Sequence, residues 1–189
     1  MKAKSRIILF TLLLVAVATI SKLLFAAKLE WSGFSPIIAI ALFSGMIVKD
    51  KSRSFLYPLM ALFISDVVIE LLYRMDLFPF AGLYKYQWLN YSFLLLTTLI
   101  GWALQGKNYG RILAGVFAGP TLFFLISNTV VWAGHGGYQR PMNFSGYLLC
   151  LEDGLPFYKH ALVATLIYLP VLIVAYNLIV KRISAFTLA

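Results

Sequence analysis

The chain has 189 residues, 61% of them hydrophobic and 12% charged, with a mean hydropathy of +0.87. A soluble domain carries about 25% charge and about 45–50% apolar residues, so an ordinary soluble globular protein is excluded. Sixteen Lys and Arg against seven Asp and Glu give a net charge of +9, an excess that in so apolar a chain is expected of membrane loops facing the cytoplasm.

At about 20 residues per crossing, the length holds one transmembrane domain over 1–189, with six spans, short loops and no large extramembrane part. The first apolar run, 6–27, is preceded by basic residues. Ala16-Val17-Ala18 has the look of a signal-peptidase site, but the run continues through Ile20 and resumes at Leu23, too long for a signal-peptide core. A retained helix is expected. The second run, 34–48, is short for a crossing, but it opens with Ser35-Pro36, a helix-start pairing, and a locally thin bilayer accommodates such a span. Runs three, four and five are 55–73, 87–104 and 111–133. Gly134-His135-Gly136-Gly137 and Arg140-Pro141 then mark a turn-rich loop. Residues 144–153 are apolar but too short to cross, which reads as an interfacial segment, and 158–180 is the last span. The runs are continuous and long rather than alternating, so the class is all-α.

An even number of spans puts both termini on one side. That side collects Lys2, Lys4, Arg6, Lys49, Lys51, Arg53, Lys107, Arg111, Lys181 and Arg182 against the single acid Asp50, which accounts for the whole +9. The opposite side and the adjoining helix halves carry six basic and six acidic residues. The positive-inside rule makes the basic side cytoplasmic. Nucleic-acid binding loses its support, because short loops against a bilayer offer no groove for a duplex.

Charges within spans are costly and mark cavities or partners. Asp66 lies just past the middle of the third span and Glu70 one turn further out on the same stripe. Lys22, in the outer third of the first span, is at a depth that permits an ion pair with Glu70. Ser127-Asn128 and, one turn above, Trp132 lie in the outer half of the fifth span, and Ser35 at the outer entry of the second. The inner halves are nearly pure hydrocarbon. A pocket open to the outside and sealed inside is expected. Two readings of the acids stay open: a structural ion-pair network with Lys22, or the lining of a ligand site. Asn128 fits an interhelical hydrogen bond as well as ligand contact, and the Trp and Tyr residues near the outer boundary fit an aromatic belt.

Cys150 reads as a small buried apolar residue, with ligation of a soft metal the alternative, and His135 and His160 are too isolated to be metal ligands. Ala41/Gly45, Ala114/Ala118 and Gly115/Gly119 are small-xxx-small pairs that suit close helix contacts, within the chain or with a partner. His-Glu-x-x-His, Gly-x-Ser-x-Gly, Cys-x-x-Cys and phosphate-loop patterns are missing. No catalytic residue, metal site or cofactor is expected.

An ordered set of pieces carries a resemblance: Phe34-Ser35-Pro36 with Ala39, Ala41, Phe43 and Gly45; Pro58-Leu59 leading to Ser65-Asp66; Phe123-Phe124-Leu125-Ile126-Ser127-Asn128 with Trp132; then Gly146, Cys150 and Pro156-Phe157. With these the chain resembles a family of bacterial membrane proteins described as transport proteins, similar in turn to the substrate-binding S components of energy-coupling-factor (ECF) transporters. The resemblance implies a six-helix subunit of the bacterial inner membrane that captures a small nutrient, vitamin-like or metal-cofactor-like, near the outer face. It also implies an ECF-type coupling protein and ATPases as partners. Carried onto this sequence, the contacts are Ser35, Asp66, Asn128 and Trp132, with Cys150 beside them. Glu70 stands where the family more often has a small residue, and the Ala-x-x-x-Ala pattern of the first S-component helix is missing from 6–27.

The function expected is therefore a non-catalytic transport subunit binding a small polar or cationic solute, with Asp66 and Glu70 setting charge preference and Asn128 and aromatic side chains orienting it. The alternative is a structural or assembly subunit of a larger membrane complex. An intramembrane enzyme using Asp66 and Glu70 is the third reading.

Overall fold

The computed structural model describes residues 3–105, 109–135 and 138–181. Lys2, Lys107, Arg182 and the Gly136-Gly137 turn lie outside them. The described residues hold helices and no strand: α1 (Ala3–Ser21), α2 (Ile37–Ile47), α3 (Lys51–Arg74), α4 (Gln87–Ala103), α5 (Tyr109–Ala133) and α6 (Phe144–Tyr176). Helix α1 runs on as a π-helical stretch, Lys22–Ala26, and α6 as another, Asn177–Lys181. Four helical segments are long and apolar enough to cross a membrane: Lys4–Ala26, Lys51–Arg74, Tyr109–Ala133 and Phe144–Lys181.

Local chemistry sets the helix starts. The Asp50 side chain accepts from the Arg53 N–H at 3.2 Å and caps α3, and Asn143 accepts from the Gly146 N–H at 2.8 Å and caps α6. From that cap α6 continues without interruption for 33 residues, through Pro156 and Pro170. Residues 144–153, read from the sequence as an interfacial segment, are continuous with the last span as the first turns of α6. Pro156 sits inside the helix without ending it.

Helix α2 is the hub. Its 11 residues rise about 16 Å, roughly half of the ~30 Å hydrocarbon thickness. Ten of the 11 are buried, packed among α3, α4, α5 and α6. Close approach is what lets so many neighbours surround it. A Cβ on Gly101 of α4 would stand 2.6 Å from the Leu42 carbonyl oxygen, and one on Gly119 of α5 2.8 Å from the Leu42 side chain. Gly45, Gly115 and Gly119 thus serve packing inside the chain, while Ala114 and Ala118 lie on the exposed face of α5. At the basic end, Phe10, Phe43 and Tyr176 form a triangle with ring centroids 5.2–5.5 Å apart, and the Arg6 guanidinium donates to the Val180 carbonyl at 2.8 Å. Because α2 fills only the half next to the basic end, the opposite half of the bundle's centre is left to side chains of the other helices and to the chain segment 27–36.

Candidate functional site

Two adjoining chambers occupy that half. The first, about 240 Å³, lies over the start of α2. Ser35, Ile37 and Ile38 line it from the α2 side; Phe123, Phe124, Ser127 and Asn128 from α5; Phe157 and Tyr158 from α6. The second, about 260 Å³, lies between α3 and the connection 75–86, with Asp66, Ile69, Gly82 and Gln87 on its walls. Lys22, Leu62 and Asn90 line both, so they form the partition.

The first chamber is shaped by backbone geometry that only particular residues allow. Gly33 adopts φ +89°, and a Cβ there would stand 2.6 Å from the Phe157 carbonyl oxygen. Glycine thus lets the 27–36 segment lie directly on α6. Asn128 rests against Gly154 of α6, where any Cβ would meet its amide, and its Nδ2 donates to the Phe124 carbonyl at 2.8 Å. Thr121 and Tyr158 join their hydroxyls at 2.9 Å across α5 and α6. Most of the wall is aromatic or aliphatic with a few polar groups, the usual make-up of a small-molecule site.

Asp66 organises the second chamber. Buried at 4% exposure, its carboxylate accepts from Lys22 through Oδ1, and from Gln87 Nε2 and the Tyr91 hydroxyl, the latter at 2.9 Å, through Oδ2. One carboxylate thus ties α1, α3 and α4 together. The 75–86 connection closes over it: Gln87 Nε2 also donates to the Gly82 carbonyl at 3.2 Å, and Gly82 lies so close to α3 that a Cβ would stand 2.5 Å from the Glu70 nitrogen.

The structure distributes the sequence candidates unevenly. Ser35 and Asn128 line the first chamber and Asp66 the second. Glu70 lines neither: Arg74 Nε donates to it at 2.7 Å and the Leu83 N–H at 3.2 Å, so loop and helix end absorb its charge. Of the two acids that Lys22 could meet from its depth, it pairs with Asp66 and not with Glu70. Lys22 reaches Asp66, one turn nearer the bundle's middle, because the 75–86 connection lies against α3 at Glu70. Trp132 is likewise not a chamber residue. Its Nε1 donates to the Pro141 carbonyl at 2.9 Å and its ring packs on Tyr147 at 5.3 Å, bracing the α5–α6 connection. Cys150 is buried, with its thiol 3.6 Å from the Asn128 carbonyl oxygen, outside the chamber walls. His160 accepts or donates at the Ser32 carbonyl, 2.9 Å away, and stacks on Trp31.

Gln87, Asn90 and Tyr91 were missing from the sequence candidates. Their signal was present, since positions i, i+3 and i+4 put three polar groups on one face at the start of an otherwise apolar helix. Asp66, the partner of Gln87 and Tyr91, lies 21–25 residues away, and Asn90 donates instead to the Tyr84 hydroxyl; no pattern in the sequence joins these groups.

Over residues 1–186 the sequence matches a family of unknown function, DUF6580. The chain belongs to that family. No curated protein and no solved structure matches it.

Proposed function

We propose that the chain is a multi-pass subunit of the bacterial inner membrane that binds a small nutrient-like solute from the outside, in the manner of an ECF S component. The observation that carries this reading is the first chamber: a mostly apolar, aromatic-walled cavity with Ser35 and Asn128 at its surface, set over the buried start of α2. In this reading all six apolar segments belong to the membrane domain, with α2 crossing only the cytoplasmic half, and the basic end lies in the cytoplasm by the positive-inside rule. The fully buried stretch of α2 from Ala39 to Ser44 closes the way to that end, which suits capture from one side. Release then depends on a partner that moves or opens the bundle, and a coupling protein with ATPases fits that need. The role is non-catalytic.

Mass spectrometry of the purified protein tests it. A small molecule should co-purify at about one per chain and be lost in Asn128→Leu, which fills the chamber. No co-purified molecule, together with no thermal shift across a panel of vitamins and metal ions, refutes it.

A structural or assembly subunit is the second reading, favoured by one observation: Asp66 draws its donors from the chain's own Lys22, Gln87 and Tyr91. In that case Asp66→Asn impairs co-purification with neighbouring membrane proteins, and no ligand changes the melting temperature.

A further inference from the structure

We propose that the first chamber receives the anionic head, a carboxylate or phosphate, of a small and otherwise apolar molecule, recognised by Lys22 and the first turn of α2. This rests on the binding reading above and replaces a preference for cations with the opposite one. Among the residues lining that chamber, Lys22 alone carries a charge. Asp66 is beyond the partition and Glu70 is engaged by Arg74 and Leu83, so neither acid presents a negative wall to a molecule in the chamber.

The backbone beneath points the same way. The Ile37 N–H reaches the Ser35 hydroxyl at 3.4 Å and the Ile40 N–H the Pro36 carbonyl at 2.8 Å, whereas the N–H groups of Ile38 and Ala39 have no acceptor among the described residues. Of the two, Ile38 lines the chamber at 7% exposure, whereas Ala39 is closed off at 0% and is not part of its wall, so the Ile38 N–H is the donor at the chamber floor. Buried donors without partners are rare in folded proteins because they forfeit hydrogen bonds to water. N–H groups in a helix's first turn point toward its start, here toward Ser35 and the chamber floor, where the helix dipole also favours negative charge.

Lys22 is placed to complete such a site. An ammonium has three donors, and one of those on Lys22 is used by Asp66 Oδ1. Since the side chain lines both chambers, it can hold Asp66 on one side and an anion on the other. It stands at the first residue of the π-helical stretch Lys22–Ala26, an irregularity frequent at functional sites. Phe123, Phe124 and Tyr158 would flank the apolar body. At about 240 Å³ the cavity is below the usual ~300–1,000 Å³ of ligand sites, which restricts that body to about one fused ring pair or a short chain.

The test uses the full chain in nanodiscs and probes of matched shape: indole-3-acetate, indole-3-acetamide and tryptamine, with phenyl phosphate and laurate added. Indole-3-acetate should bind at least about tenfold more tightly than the amide or the amine, the effect of one hydrogen bond to a charged group. Tight binding of laurate instead would assign the acid to the bilayer, and of phenyl phosphate the head to a phosphate; each supports an anionic head. Lys22→Met should weaken the acid about tenfold, whereas Asp66→Asn, which frees Lys22 from its competitor, should strengthen it severalfold. Should Lys22→Met fail to fold, the opposite sign in Asp66→Asn carries the test. Equal or tighter binding of tryptamine or the amide overturns the anionic assignment and leaves the chamber a binding site. No binding by any probe overturns both. An unchanged head-group preference in Asp66→Asn makes Lys22 purely structural and overturns the proposal.

Discussion

Asp66→Ala should be among the most destabilising single substitutions in this chain. The carboxylate is 6% exposed and its Lys22 partner 18% exposed, so truncation strands an ammonium in the bundle and leaves the Tyr91 hydroxyl without its acceptor. Removing one partner of a buried ion pair costs about 3–5 kcal/mol. Gln87 keeps its bond to the Gly82 carbonyl, so its amide adds little to that figure. For a chain of this length each kcal/mol lowers the melting temperature by about 2–4 °C, which puts the loss at about 6–20 °C. The double variant Lys22→Met/Asp66→Leu removes both charges and fills their volume, and should recover all but about 1–2 kcal/mol, because replacing a buried pair with apolar residues is often neutral. Thermal unfolding of both variants in one detergent, followed by tryptophan fluorescence, measures this. A fall of less than about 2 °C for Asp66→Ala, or a double variant no more stable than the single one, would refute the reasoning that Asp66 holds α1, α3 and α4 together.

Further outcomes follow from the same geometry. Gly101→Leu should prevent folding of the α2–α4 contact and abolish a monodisperse chromatography peak, and Gly101→Ala should cost about 1–3 kcal/mol, since a Cβ has no room beside the Leu42 carbonyl. Gly33→Ala should cost about 1–3 kcal/mol from its positive φ alone, more with the Phe157 carbonyl in the way, and weaken any ligand-induced thermal shift. Trp132→Phe should lose about 1 kcal/mol with its bond to the Pro141 carbonyl and leave ligand binding unchanged; a tenfold loss of binding would return Trp132 to the site. Tyr91→Phe should cost about 1.5–3 kcal/mol in the same unfolding assay, the range for a hydrogen bond to a charged group, with Asp66 keeping Lys22 and Gln87.

Which features could be read in advance follows from the range of the interactions behind them. Composition and run length are local sums, so the helical class, the apolar segments and the end at which polar groups gather were all legible in one dimension. The i, i+4 spacing placed Asp66 and Glu70 on one stripe correctly, but depth along a helix does not say which neighbour comes within bonding distance. Lys22 is 44 residues from Asp66 in sequence, and only the packing of α1 on α3, with the 75–86 connection laid across Glu70, selects that partner. Trp132 illustrates the same limit: an indole near a boundary looks alike whether it faces a ligand or braces a loop.

By itself the sequence determined that this is an all-helical, membrane-type chain whose charge excess lies at one end, because those properties depend on how many apolar and charged residues occur in each stretch. The tertiary structure alone decided that α2 is a half-length central helix seated by Gly101 and Gly119, that a chamber lies over its start, and that the acids are already partnered while a lysine faces the cavity. These depend on close approach between residues far apart in the chain, which sequence spacing does not encode.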